Sequence, residues 1–319
     1  MNVTKVETKE STKHCCGNGF CRIDSAEHEG EDRALIDERM TENNLANLIE
    51  RLGIDLFEDI TNLTNLATAC DHVRLKKGAG GIDGMKAEEL MEYFEKHGEE
   101  LRRSILDGTY RPKPVRRVEI PKDNGKKRNL GIPIVIDRVV QQAIAQQLSR
   151  YYEMLFSDAS YGFRPNRSCH QAILKSQEYL NEGKYWVVDM DLEKFFDTVN
   201  KSKMIQILSK VIKDGRVISL IQKFLNAGVV IGKRCEYTKR GIPQGGPLSP
   251  LLANIMLNEL DWELTKRGHK FVRYVDDLLI FCGSKASAQQ TLEHIIPFIE
   301  KKLFLKVNRE KTIVPMLGK

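Results

Sequence analysis

The stretch FVRYVDDLLIFCG, residues 271–283, sets two adjacent aspartates, Asp276 and Asp277, between two short apolar runs. Each flank has strand composition: Phe, Val, Tyr and Val before the pair, Leu, Leu, Ile and Phe after it. Such runs joined by two polar residues predict a β-hairpin with the acids at its tip. A two-residue turn favours Asn-Gly or Asp-Gly, because its central positions often need φ > 0, so Asp-Asp needs a reason beyond turn chemistry. Two carboxylates about 5 Å apart, at an effective dielectric of about 20, repel by roughly 3 kcal/mol, or about two pKa units. A partly enclosed site would either protonate one acid or hold a cation. Taken in isolation, the pair reads as a solvated turn, and the rest of the chain has to overturn that.

The 319-residue chain is 41% hydrophobic and 29% charged, a soluble globular profile with room for two compact units. No run approaches about eighteen consecutive apolar residues, so no membrane span is predicted. The start, MNVTKVETKESTKH, lacks the apolar core of a secretory signal. Cysteines number seven, and Cys70, Cys169, Cys235 and Cys282 are scattered, which argues for reduced thiols and a cytoplasmic location. His14, Cys15, Cys16 and Cys21, with His28 beyond, invite a zinc reading but lack a second ligand pair at structural-zinc spacing. Residues 1–32 are polar and expected to be disordered.

Net charge is +6, and its distribution says more. RPKPVRRVEIPKDNGKKR (111–128) carries eight Lys/Arg against two acids. Its prolines and the Asp-Asn-Gly turn at 123–125 predict two extended arms of a rigid basic hairpin, suited to phosphate contact. Apolar spacing predicts helices over 32–51, 56–74, 86–106, 137–155 and 166–181, then over 202–213, 216–226 and 286–302. A short hairpin is expected at 229–239, and strands at 304–308 and 312–315. In GIPQGGPLSP (241–250), Ser249 reads as an N-cap with Pro250 opening a helix. The glycines of KKGAGGIDG (76–84) lack the Gly-Lys-Ser/Thr close of a nucleotide loop. The second half thus reads as an α+β sheet backed by helices.

In YWVVDMDLEKFFDTVN (185–200), the predicted strand puts Asp189 and Asp191 on one face. Beside a hairpin tipped by Asp276 and Asp277, such a strand would gather three carboxylates. That cluster is untenable without divalent cations, and two Mg²⁺ about 3.5–4 Å apart, held by oxygens, fit it. This is the arrangement that phosphoryl and nucleotidyl transfer require.

YVDD (274–277), GIPQGGPLSPLLANIMLNELD (241–261), SYGFRPNRSCHQAI (160–173) and VVDMDLEKFFDTVN (187–200) together resemble the sequence blocks of reverse transcriptases, most closely bacterial group II intron-encoded proteins. RRVEIPKDNGKKRNLGIPIVIDRVVQQAI (116–144) is similar to the first fingers block, KGAGGIDGM (77–85) to the N-terminal extension, and LKVNREKT (305–312) to the block after the active hairpin. The resemblance covers roughly 60 to 315. It implies a right-hand polymerase fold, with the N-terminal extension and helical fingers at 33–185 and a ferredoxin-like antiparallel palm at 186–319. The chain stops at VPMLGK, so the thumb is expected to be absent, and a homodimer covering the exposed apolar surface is a candidate assembly.

By the same resemblance, Asp191, Asp276 and Asp277 match the metal-binding acids, with the carbonyl of Leu192 a further ligand and Mn²⁺ a substitute for Mg²⁺. Asp189 is the alternative first acid. Phe196, five residues after Asp191, matches the aromatic gate against a 2′-hydroxyl; without its neighbour it would read as a core phenylalanine. Lys122, Arg128, Gln244 and Lys311 match residues around the incoming dNTP. Arg164 and Arg167 are expected at template or primer phosphates, with a structural salt bridge as the alternative, and Arg116, Arg117, Lys126 and Lys127 on intron RNA. The implied activity is RNA-directed DNA synthesis on an RNA template from a primer 3′-end. The alternatives are a non-catalytic splicing factor (maturase) and an RNA-directed RNA polymerase, against which the bulky Phe196 argues.

Overall fold

The computed structural model describes residues 40–121, 127–232 and 234–317. The zinc and disorder readings of the first 32 residues, with Lys122 and Lys126, lie outside the described residues, as does the side chain of Arg128.

Helices α1 (Glu42–Arg51), α2 (Leu56–Thr61), α3 (Leu63–Leu75) and α4 (Leu90–Leu106) come first. One helix was expected over 56–74. Two form because Asn62 leaves the helical region and caps the second, its Oδ1 accepting from Thr64 N at 2.8 Å. Strands β1 (Val115–Pro121) and β2 (Lys127–Ile132) form the basic hairpin. α5 (Val135–Tyr152) is buried on almost every face, including Asp137, Arg138, Gln141 and Gln147, and packs on α3.

After α6 (Cys169–Asn181) come β3 (Trp186–Met190), the single turn α7 (Phe195–Thr198), α8 (Lys201–Val211) and α9 (Gly215–Leu225). Strands β4 (Val229–Ile231) and β5 (Arg234–Glu236) follow, then α10 (Ser249–Lys266), the hairpin β6 (Lys270–Tyr274) and β7 (Asp277–Cys282), and α11 (Lys285–Lys301). Ser249 is not the cap that was expected. It is already helical, and its Oγ donates instead to Pro243 O at 2.6 Å.

Two sheets result. One runs β2-β1-β4-β5, because Val115 and Arg116 pair in parallel with Val229 and Val230. The other is antiparallel, β3-β7-β6. The strands expected at 304–308 and 312–315 are isolated bridges: Val307 to Leu192, Ile313 to Asp189 and Met316 to Trp186. They continue the sheet beyond β3, giving the spatial order last-first-third-second. Alternation along β3 fills both faces: Val187 joins Phe281, Val272 and Tyr179 on one side, and Val188 and Met190 join the main core on the other.

A buried acid ties the basic hairpin to this frame. Asp137 on α5 is 2% exposed. It accepts from Tyr110 Oη at 2.5 Å and from Lys113 N at 2.8 Å, just before β1. Burial pushes its carboxyl up to about 6. A folded-state value above the ordinary one makes this group's contribution to stability greatest below the usual carboxylate range and lost as pH rises through about 6. Asp137→Asn turns an amide NH₂ against the Lys113 N–H or leaves the Tyr110 hydroxyl proton without its acceptor. It should cost about 1–3 kcal/mol and flatten that pH dependence, read as urea midpoints between pH 4 and pH 7.

Candidate active site

β3 and β7 run antiparallel with Met190 opposite Leu278. One step further, the same register sets Asp191 opposite Asp277. Tyr274 pairs with Asp277 across the β6–β7 hairpin. The two turn residues are therefore Val275 and Asp276, not the Asp-Asp pair predicted from sequence, and Asp277 opens β7. The reason is tertiary. Val275 takes φ +62°, which a β-branched residue rarely adopts, and its carbonyl accepts from Arg273 Nη1 at 2.8 Å.

The acids share one cleft of about 910 Å³ with Lys306, Arg309 and Lys311. The carboxyl of Asp277 is held above the usual range, first by burial and then by Asp276, Asp191 and Asp189, with Lys311 pulling the other way. Asp189 is also raised, by burial and then by Asp191. The chain after α11 crosses over Asp191. Asn308 N donates to Asp191 O at 2.9 Å, and Asn308 Nδ2 donates to its Oδ2 at 2.8 Å. Lys311 Nζ stands 3.6 Å from the same oxygen. Asn308 was not singled out from sequence, although its place between Lys306 and Lys311 in LKVNREKT was a usable signal.

Among the described residues, no three His, Cys, Asp or Glu side chains are already gathered as a metal-holding group. The donor set nonetheless suits a hard cation. It consists of carboxylate oxygens that repel one another, with an ammonium beside one of them and Leu192 lining the same cleft.

An adjoining cleft of about 570 Å³ is lined by Phe163, Phe196, Gln244, Tyr274, Asp276 and Asp277, among others. Phe196 is 7% exposed and meets Phe195 edge-on at 5.2 Å, so it is a core residue with one side on the cleft. Its carbonyl accepts from Ile242 N at 2.7 Å, and Gln244 O accepts from Gly131 N at 2.6 Å. The glycine-rich turn is thereby tied to both α7 and β2. Gly245 holds φ +118°, and a Cβ there would lie 2.6 Å from Gly131 O, so only glycine fits.

The predicted cations divide. Arg117 lines a cavity of about 290 Å³ between β1, α7 and the glycine-rich turn. Lys127 pairs with Glu119 at 2.6 Å on the exposed hairpin. Arg128 sits in β2 opposite Ile120. Arg116 Nη2 donates to Gly80 O at 2.7 Å and Arg138 Nη2 to Ala79 O, so carbonyls of the 76–84 loop are taken up by arginines. Arg167 Nη2 donates to Asp158 Oδ1 at 2.5 Å, and its guanidinium lies over Tyr161. Arg164 is corrected. Its side chain is 3% exposed, paired with Glu153 at 2.6 Å and donating to Ser157 O and Ser160 O, so it braces the scaffold and no phosphate reaches it.

Sequence reasoning passed over a buried polar stripe. Asn254, Asn258 and Asp261, at i, i+4 and i+7 of α10, face the 155–162 segment and Arg273. Polar residues at i, i+4 and i+7 among the apolar positions of α10, with an arginine inside FVRY, were the signal.

A family model described as reverse transcriptase (RNA-dependent DNA polymerase) matches residues 120–315. Protein YkfC of Escherichia coli strain K12 is 35% identical over 297 residues, spanning 80% of this chain and 78% of YkfC. The group II intron-encoded protein LtrA of Lactococcus lactis subsp. cremoris is 32% identical over 342 residues, spanning 87% of this chain but 57% of LtrA. No helix among the described residues is long and apolar enough to cross a membrane. The acids, the glycine-rich turn and the second strand of the basic hairpin fall inside the matched span, and the chain belongs to the reverse transcriptase family, among the group II intron-encoded reverse transcriptases and maturases.

Proposed function

We propose that the protein copies RNA into DNA by nucleotidyl transfer, with the helices and basic hairpin up to about residue 185 acting as fingers and the β3-β7-β6 sheet as palm. The observation that carries this reading is the convergence of Asp191 with Asp276 and Asp277, 85 positions on, in one cleft. Asp191, Asp276, Asp277 and the Leu192 carbonyl would hold two Mg²⁺. Bound there, the ions supply activation of the primer 3′-hydroxyl and neutralisation of the triphosphate.

The chain's own residues do the rest. Asn308 fixes one oxygen of Asp191 and leaves the other for the cleft. Lys311 stands beside Asp191, and we assign to it, with Arg128 and Lys122, the positive charge for the triphosphate, as point charges and a fork. Gln244, on its tethered turn, lies beside the incoming nucleotide. Phe196 walls the sugar, so Phe196→Ala should raise ribonucleotide use relative to dNTP by about tenfold or more, read as the ratio of kcat/KM values. Unchanged sugar selectivity would place the gate elsewhere.

The test is dNTP incorporation on a primed RNA template with Mg²⁺. Incorporation that persists in EDTA, or none at all, ends the reading.

The exposed arms of the β1–β2 hairpin favour a second, coexisting role: gripping intron RNA as a maturase does. Neutralising Arg117 and Lys127 should lower RNA affinity and reduce the slope of log K against log salt by about 1 per charge removed. Filter binding between 50 and 200 mM salt measures it, and a flat salt response in the wild type would remove the clamp.

A further inference from the structure

The catalytic turn is held in a shape its own sequence does not favour. Val275 sits at φ +62°, and a β-branched residue stays there only where its surroundings over-determine it. Those surroundings converge on Arg273, which is 1% exposed and spends every guanidinium N–H. Nε and Nη2 donate to the two oxygens of Asp261 at 2.7 and 2.6 Å. Nη2 also donates to Ser160 Oγ at 2.8 Å, and Nη1 to Asn254 Oδ1 at 3.0 Å and Val275 O at 2.8 Å.

The same knot reaches the turn from its other side. Asn254 Nδ2 donates to Gly162 O at 2.8 Å, and Gly162 lies so close under the turn that a Cβ would be 2.6 Å from Val275 N. The Arg273 main chain exchanges hydrogen bonds with Ala159 O and Tyr161 N, at 2.8 and 2.9 Å. Three elements, α10, the 157–162 segment and β6, are thus locked directly beneath Asp276 and Asp277.

We propose that Arg273, oriented by Asp261 and Asn254, is the positioning residue of the catalytic carboxylates: it holds Val275 left-handed, so that Asp276 and Asp277 face Asp191. The proposal rests on the nucleotidyl-transfer reading. Stability alone does not account for the arrangement, since a buried ion pair is often no more stabilising than apolar residues of like volume. What apolar residues cannot supply is a donor to Val275 O. Lysine would keep the charge against Asp261 but lose the fork that reaches Asn254 and Val275 together.

The experiment compares the full chain with Arg273→Lys, Val275→Gly and the double variant in primer extension on RNA, reading kcat and dNTP KM separately. Arg273→Lys should lose about a hundredfold in kcat, the cost of an ångström-scale misplacement, with KM within a few-fold. Glycine adopts positive φ freely, so Val275→Gly should recover about tenfold or more of that loss in the Arg273→Lys background. Strictly additive losses, or a lowered Tm with kcat per folded molecule unchanged, overturn the proposal. Should Arg273→Lys not fold, Asn254→Ala takes its place, because it spares the Arg273–Asp261 pair while removing the acceptor that orients Arg273 Nη1 and the donor to Gly162 O; the same non-additivity with Val275→Gly is expected.

Amide exchange at residues 274–278 decides independently of activity. It should speed up in Arg273→Lys and slow again in the double variant, and unchanged exchange overturns positioning. If the wild type extends no primer, the polymerase reading falls, and exchange alone judges the role of Arg273.

Discussion

Asp191→Asn is expected to lower kcat for templated nucleotide addition by at least about a thousandfold, ~4 kcal/mol of transition-state stabilisation, while Asp189→Asn stays within about tenfold of wild type. The two acids lie two residues apart on one strand face, and the family resemblance favours Asp191 by the place of Phe196, with Asp189 as the alternative. The structure separates them by what surrounds each. Asp189 is inside the ladder, its N–H and C=O both bonded to Ile313 at 2.9 and 3.0 Å, and it is the weakest of the three acids acting on Asp277. Asp191 lies past the end of the strand, in the cleft, with Asn308 and Lys311 on one oxygen. An amide in its place keeps the shape and the Asn308 contact but removes the charge that would bind a cation. Single-turnover extension at saturating dNTP separates chemistry from binding. Equal losses in the two variants would mean that the strand presents the wrong acid to the site.

The same repulsion predicts a trade between function and stability. The raised Asp277 carboxyl makes its charged form costly in the metal-free protein, a cost present above the usual carboxylate range and absent at lower pH. Asp277→Asn should therefore raise Tm in EDTA at pH 7 by about 2 °C. Mg²⁺ should reverse the ranking, since it would stabilise only the chain that binds it.

Where the sequence was legible, the reason was local. Apolar and aromatic composition on both flanks of the acids predicts the hairpin, and the β-branched run at 185–191 predicts β3. Where it was not, distant residues overrode a local rule. Turn chemistry prefers Asp to Val at positive φ, so it puts the turn on Asp-Asp; Gly162, 113 positions upstream, and the Arg273 donor move it to Val275. Capping rules favour Ser249, yet its hydroxyl finds Pro243 O. Arg164 reads as a phosphate ligand in a basic loop, but Glu153 on the preceding segment claims it. The parallel joining of β1 to β4 spans 114 positions, with no local signature to announce it.

Gly162→Ala carries that last class of information into a measurable loss. An alanine Cβ there would lie 2.5 Å from Val275 Cγ2, 2.6 Å from Val275 N and 3.1 Å from the Tyr274 carbonyl carbon. A rotamer change can relieve the first of these contacts. The second and third are backbone, so the turn itself must move, and with it Asp276 and Asp277. A shift of ångström scale should cost about a hundredfold in kcat, with far-ultraviolet circular dichroism unchanged, because the segment is not part of a helix or strand. Gly183→Ala is the control: φ +82° strains an alanine, but nothing lies within 4 Å of its Cβ. It should lose about 1 kcal/mol of stability and no kcat. If Gly162→Ala retained wild-type kcat, the acids would tolerate displacement of their turn. Catalysis would then depend on how many carboxylates the cleft holds rather than on where the turn sets them.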